Sequence, residues 1–352
     1  MCISTLEKQN IMNNKKVLLT GVTGFLGSHA AIQLLNKGYE VRGTLRDKGR
    51  IDAIREVIAA HTGQINKLEF AVAELSDGGA WKELTQGIDF IQHTASPFPR
   101  ELPRDENDLI LPAKNGTLNI LEAAAANQVK RIVMTSSLSA IAYGRANRED
   151  GKVFNENDWT DVNSKKDITP YYKSKTIAEK AAWDFIRNSE TDLELVTVCP
   201  GAILGPVIEQ DFGNSANIVV SLLNGSFPAL PKIGFDLVDV RSVADLLIKA
   251  MEIPEAAGNR YIAASGYLSL KEVAGILKAH FPERKIPSAE LPDFVTRILA
   301  LFRPELKPVL LEMVRRKIDV NKAVRTLNWK PLDVKEAVIA CAESILAHKI
   351  VK

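Results

Sequence analysis

Apolar runs and polar breaks alternate with regular spacing along the first two hundred residues. "KKVLLTG" at 15–21 is a short apolar run closed by glycine, which predicts a buried strand. Over 25–37 the apolar positions Phe25, Leu26, Ala30, Ile32, Leu34 and Leu35 recur at helical spacing, and Gly38 supplies a stop. Five further strands are predicted at "YEVRGTL", "KLEFAVA", "GIDFIQHTA", "KRIVMTSS" and "LELVTVCPG". Helical patterns at 50–61, 107–127 and 171–188 lie between strands. Strands alternating with helices predict βαβ units: an α/β fold with a doubly wound parallel sheet. After Pro206 the pattern changes. "LVDV" and "RYIAAS" still read as strands, but most of 265–352 is helical and broken by prolines. That predicts a smaller, mainly helical region over one end of the sheet. The apolar stretches "FVTRILALF" and "PVLLEMV" read as core or pocket wall.

Composition narrows the picture little. The 352 residues are 46% hydrophobic and 25% charged, an ordinary globular balance. A net charge of +2, without a Lys/Arg block, argues against a nucleic-acid surface. No apolar run reaches the ~18 residues needed to span a bilayer. Residues 1–14, "MCISTLEKQNIMNN", lack a basic-then-apolar signal pattern and read as a loose leader. Cys2, Cys199 and Cys341 are far apart, which predicts free thiols and a reducing, cytoplasmic setting. The five histidines form no HExxH, so a metal site is not expected.

The chemistry is legible in three places. "TGVTGFLGSH" at 20–29 sets Gly21, Gly24 and Gly27 between the first strand and the first helix. Glycines there allow a tight turn, close approach of backbone to a pyrophosphate, and packing of helix on strand. The helix N-terminus then offers free N–H groups to phosphate. About twenty residues on, the second strand ends in Arg46, which suits the 2′-phosphate of NADP, followed by Asp47, which would suit the ribose of NAD. Glu74 and Leu75, ending the third strand, stand where an acid could meet adenine.

The third place is "ITPYYKSKTIAEK". Tyr171 and Lys175 share a helical face, Thr169 is a plausible N-cap and Pro170 suits the first helical position. An ammonium and a helix N-terminus would lower the phenol pKa of Tyr171 and make it a general acid. Tyr267 and Lys271 repeat the spacing, but Ser269 and Glu272 form a capping box, so Tyr267 should lie in a loop before that helix. The fifth strand ends in Ser136 and Ser137 at the carboxyl edge of the sheet, where ligands bind in open α/β folds.

With glycine loop, strand-end serine and Tyr-x-x-x-Lys in this order, residues 15–345 resemble the extended short-chain dehydrogenase/reductases, and most of all the dihydroflavonol 4-reductase group with its NADPH-dependent aldehyde and ketone reductases. "RGTLRD", "HTASPF", "VMTSS", "FNENDW", "PGAILGP" and "VDVRSVAD" carry the resemblance further. It implies Ser137, Tyr171 and Lys175 as the catalytic set. It implies cofactor contacts from Gly21, Thr23, Gly24, Phe25, Leu26, Gly27, Arg46, Glu74, Leu75, Thr94, Ala95, Ser96, Pro200, Gly201, Ala202 and Ile203, besides Tyr171 and Lys175. A helper asparagine would fall near Asn115, and His93 reads as a satisfied strand-end histidine. Glu74 replaces the family's usual Asp.

The expected activity is NADPH-dependent reduction of an aldehyde or ketone, with Tyr171 as proton donor. Substrate contacts are expected from Phe98, Ser137, Tyr143 and Tyr171, in a pocket walled by the apolar 207–231 stretch and tolerant of many carbonyl compounds. Residues 15–205, with 236–264 returning, would bind the dinucleotide; 206–235 and 265–352 would form the substrate side. Monomer or homodimer are both compatible, and helices 107–127 and 171–188 could pair across a dimer. A hydroxysteroid dehydrogenase, a nucleotide-sugar epimerase and a non-catalytic NAD(P)-sensing regulator are the alternatives.

Overall fold

A computed structural model describes residues 15–97, 105–145, 151–209, 212–225, 228–302 and 307–351. In chain order the strands are β1 (Lys16–Thr20), β2 (Glu40–Leu45), β3 (Leu68–Val72), β4 (Phe90–His93), β5 (Arg131–Thr135), β6 (Val153–Phe154), β7 (Glu194–Pro200), β8 (Ala202–Leu204), β9 (Gly234–Asp239), β10 (Arg260–Ala263), β11 (Gly266–Ser269) and β12 (Lys317–Ile318). The helices are α1 (Phe25–Asn36), α2 (Ile51–Ala59), α3 (Gly78–Leu84), α4 (Asn107–Ala126), α5 (Pro170–Asn188), α6 (Asn217–Leu223), α7 (Val240–Glu252), α8 (Leu270–His280), α9 (Asp293–Phe302), α10 (Lys307–Leu311), α11 (Asn321–Leu327) and α12 (Val334–Ala347).

Seven strands form one sheet in the order β10-β7-β5-β4-β1-β2-β3, and every pairing is parallel. The strand order runs outward in both directions from β1/β4, which makes the sheet doubly wound and opens a crevice at the carboxyl ends of these strands. Val17, Leu19, Val41, Val133, Val196 and Val198 are fully buried, as strands covered on both faces require. Helices α4 and α5 pack on one another within the chain.

The returning segment divides. Helix α7 and strand β10 rejoin the main sheet, but β9 does not: it pairs with β8 and β11 in a separate three-stranded sheet. Two apolar stretches lie elsewhere than their composition suggests. The 207–231 stretch fills a second core, with Val207, Val219, Leu222, Leu223 and Leu230 packed under α8 and α12, because those helices need an apolar partner. Among its described residues Ser215 lines the pocket, while the apolar ones named belong to this core. On α9 the inward residues are the small Thr296 and Ala300, so Phe294, Ile298, Leu301 and Phe302 face outward and are exposed. Among the described residues no helix is long and apolar enough to cross a membrane.

Candidate active site

The first βα turn is shaped by close contacts. Gly21 has φ +75°, a conformation that strains any side chain, and its Cα faces Ala95 closely. A Cβ on Gly27 would lie 2.0 Å from the Gly21 carbonyl oxygen, so only glycine lets α1 pack this near the strand. Gly24 is the N-cap of α1 and no side chain caps the helix, which leaves its first N–H groups directed at the crevice. Gly21, Thr23, Gly24, Phe25, Leu26, Gly27, Arg46, Glu74, Leu75, Thr94, Ala95 and Ser96 surround one cavity of about 470 Å³. This cradle fits a dinucleotide. Arg46 is exposed at its rim, with no ion-pair partner among the described residues. The Asp47 carboxylate caps the following turn, its Oδ1 accepting from the Gly49 N–H at 2.9 Å.

Helix α5 starts as its sequence predicts. Thr169 Oγ1 accepts from the Tyr172 N–H at 3.2 Å and Pro170 opens the helix, so Tyr171 lies in the first turn. Ser137 lies two residues beyond β5 and caps a short turn, its Oγ accepting from the Ser139 N–H at 3.1 Å. It shares one pocket lining with the Tyr171 phenol and acts on it to lower its pKa. Ser136 is excluded from this role: its hydroxyl donates to buried Glu179 at 2.5 Å. The expected lowering of the Tyr171 pKa is not found. Burial raises it above the ordinary phenol value, and Ser137 opposes the rise without overcoming it. Burial also lowers the Lys175 ammonium to about 8, with Glu179 and Cys199 pulling it back up. Lys175 lines a small cavity with His93, Ala95 and Ser96, between the dinucleotide cradle and the tyrosine. His93 is a buried strand-end histidine, 2.8 Å from Thr20 Oγ1, and burial together with Lys175 lowers its pKa to about 3.

Ser137 and Tyr171 open onto a pocket of about 210 Å³, together with Tyr143, Tyr172, Pro200, Gly201 and Ala202. Ile203 is not in this lining; it packs on the two large cores beside Val238. Asn115 is exposed on α4, and Asn119, one turn on, donates to the Leu75 carbonyl at 3.0 Å. Phe98 lies outside the described residues.

The far wall of the pocket includes Tyr143, an expected substrate contact, and Glu312 and Val314 from the "PVLLEMV" stretch, which reads as core or pocket wall, but its polar contacts were not legible. Glu312, from the segment after α10, accepts from Tyr143 at 3.0 Å and from Tyr172 at 2.7 Å, and these two rings stack at 4.2 Å. Arg316 lies 4.0 Å over Tyr143 and donates to Asp167 at 2.6 Å. Tyr267 lies on β11, not in a loop, and lines the same pocket with Asp236, its register partner on β9. The capping box of Ser269 and Glu272 is formed, but the strand runs right up to it. The only sequence signal for Glu312 was a lone carboxylate in an apolar run. A larger cavity of about 820 Å³ adjoins the pocket at Ala142, Val314 and Arg316, is lined by Arg145, Lys166, Arg297 and Lys317, and contains neither Ser137 nor Tyr171.

Beneath the site, Glu179 is fully buried. It receives Arg260 Nε at 2.7 Å and the Thr197 hydroxyl at 2.7 Å besides Ser136. Arg260 stacks 3.7 Å from the Trp159 ring and donates to the Glu156 and Asp158 carbonyls, both at 2.7 Å.

Residues 17–264 match the model of the NAD dependent epimerase/dehydratase family. A cinnamoyl-CoA reductase of Medicago truncatula is 31% identical over 318 residues, 89% of this chain and 96% of that one. A dihydroflavonol 4-reductase of Gerbera hybrida is 31% identical over 318 residues, 86% of this chain and 85% of its own. Among solved structures, the yeast methylglyoxal/isovaleraldehyde reductase complexed with NADPH superposes with a TM-score of 0.80 at 27% identity, over 94% of this chain and 98% of that one.

Proposed function

The chain belongs to the NAD dependent epimerase/dehydratase family, the extended short-chain dehydrogenase/reductases, and from that premise we propose that it reduces the carbonyl of an aldehyde or ketone to an alcohol, with Tyr171 as proton donor. It is an oxidoreductase that works with NADPH. Bound NADPH supplies the hydride. Arg46 takes the 2′-phosphate, a role supported by its unpaired guanidinium at the cradle rim and by the engagement of Asp47 in its own turn. Glu74 and Leu75 border the adenine end, and Thr94, Ala95, Ser96 and Pro200 to Ala202 border the nicotinamide end.

The observation that carries the reading is the placing of Ser137 and Tyr171 in one pocket at the carboxyl edge of the sheet. Ser137 holds the carbonyl oxygen and Tyr171 protonates it as negative charge develops. Burial keeps the phenol protonated until that moment, so the proton is available across the neutral range. Lys175 lies behind, where its charge favours the phenolate that forms and its amine can reach the ribose hydroxyls. Residues 15–205 form the cofactor side, and 206–235 with 265–352 the substrate side, in a cytoplasmic setting supported by the free, buried Cys199 and Cys341.

The test is NADPH oxidation by purified protein across a panel of aldehydes, ketones and ketoesters. Turnover of several of them is expected. No turnover of any carbonyl, together with co-purified NAD and conversion of a nucleotide sugar, would move the assignment to an epimerase.

A further inference from the structure

Two carboxylates line the pocket beside Ser137 and Tyr171, and the protein uses only one of them. Glu312 already accepts from two phenols and has Arg316 3.8 Å away. The Asp236 carboxylate has no hydrogen bond and no ion pair among the described residues. The nearest cation acting on it, Arg315, is stacked 4.4 Å over the Tyr267 ring.

The backbone holds Asp236 in place. On β9 it stands opposite Tyr267 of β11 in antiparallel register, so both side chains share the pocket face. Its carbonyl presses on the loop after β7: a Cβ on Gly201 would lie 2.1 Å from the Asp236 oxygen. An acceptor is thus fixed beside the segment that borders the nicotinamide end, in the cavity that holds the proton donor. Burial lifts its carboxyl to about 6, with Arg315 opposing and Glu312 reinforcing. A half-buried carboxylate without a partner is costly unless something in the pocket donates to it.

We infer that Asp236 is the specificity-determining residue of this pocket, accepting a hydrogen bond from a donor group, hydroxyl or ammonium, carried on the substrate away from its carbonyl. This rests on the carbonyl-reductase reading and narrows it. A site with a fixed buried acceptor discriminates against analogues lacking the donor far more strongly than an apolar wall does. One donor to a charged acceptor corresponds to roughly 10- to 150-fold in affinity.

The probes are methyl ketones of graded chain length whose far end is a hydroxyl, an ammonium or a methyl group. Their binding to the NADP+ complex is measured by calorimetry for the unmodified protein, Asp236→Asn and Asp236→Leu. At one chain length the donor-bearing ketones should bind roughly 10- to 150-fold tighter than the methyl-terminated parent. Asp236→Leu should erase both preferences. Asp236→Asn, nearly isosteric and so readable even if the leucine variant misfolds, should erase the ammonium preference and keep most of the hydroxyl preference. An unmodified protein with no preference at any length, or a preference surviving in Asp236→Leu and unchanged in Asp236→Asn, overturns the inference. NADPH oxidation with the same ketones is read separately. Its absence sinks the reductase reading, while the binding series still decides the role of Asp236.

Discussion

Two arginine–carboxylate sites flank helix α5, and they are built for different ends. Glu179 and Arg260 lie under the helix, with donors from β5 and β7 and an aromatic lid in Trp159. Glu179 is on α5, its partners Ser136, Thr197 and Arg260 lie on or just beyond sheet strands, and Trp159 lies between β6 and α5. Glu312 and Arg316 lie on the open side and gather Tyr143, Tyr172 and Asp167 around a pocket wall. The first site fixes where Tyr171 and Lys175 stand. The second shapes what can stand in front of them. On the proposed function, chemistry is thus anchored beside the regular sheet, and selectivity in the later, less regular chain.

Adjacent tyrosines offer the sharpest way to break this contrast, since Tyr171 belongs to one side and Tyr172 to the other. Tyr171→Phe should lower kcat by about 10²–10⁴ while NADPH binding, measured by fluorescence titration, is nearly unchanged. Tyr172→Phe and Tyr267→Phe should stay within about tenfold of the unmodified enzyme. Equal damage at Tyr171 and Tyr267 would erase the distinction.

Stability should separate the two sites next. Arg260→Ala strands a fully buried carboxylate, a loss of about 3–5 kcal/mol. Glu312→Gln leaves an acceptor for the two phenols, so its loss should be about 1–2 kcal/mol. Urea unfolding of both variants ranks them, and the reverse order would contradict the anchoring role of the lower site.

A third arginine, Arg46, has no carboxylate partner among the described residues, and the proposed function gives it the 2′-phosphate. The unmodified protein should prefer NADPH over NADH by roughly 10- to 150-fold in kcat/KM, and Arg46→Ala should weaken NADPH alone. Equal kinetics with both cofactors would return the adenine ribose to Asp47.

The smallest effect is in pH dependence, where the two sides carry opposite signs. Burial holds His29 at about 4 and His93 at about 3, below the ordinary histidine value of 6.5. On the cofactor side, therefore, unfolding takes up protons between pH 6.5 and about 3–4, and stability falls as the solution is acidified. Asp236, raised from 3.8 to about 6, binds its proton first in the folded state and opposes that fall between pH 6 and 3.8. Denaturation midpoints for Asp236→Asn should therefore drop more steeply with acid than those of the unmodified protein. A shallower drop would reverse the assignment.

The cofactor side was legible because its constraints are local. Three glycines, a strand end and a capped helix start each follow from neighbours in sequence, and Thr169, Pro170 and the Gly21 turn fold as read. The choice of Ser137 over Ser136 came from resemblance; the structure supplies the physical reason in Glu179. Tyr143 reads as a pocket residue and 308–314 as core or pocket wall, but the polar contacts of this wall were illegible because they are long-range. Tyr172 and Glu312 are separated by 140 residues, and nothing near either predicts the other. The apolar 207–231 stretch divides between the second core and, at Ser215, the pocket lining, since hydrophobicity says that a segment is covered but not by what. Tyr267 shows the limit of a cap argument: the box marks where α8 starts and leaves the preceding residues free to form a strand.

The separation of Arg260 from Glu179 by 81 residues also orders the birth of the molecule. At about 5–20 residues per second on a ribosome, the helix bearing Tyr171 and Lys175 is complete seconds before its counter-charge exists. Until β10 arrives, β7 presents an unpaired edge, and Glu179 faces a gap that favours water or a proton over burial. The nascent chain therefore holds its reactive helix loosely, with the crevice unfinished, through this interval. Docking of one late strand closes the edge and neutralises the carboxylate together, and the pocket wall from Tyr267 to Arg316 is added only after it.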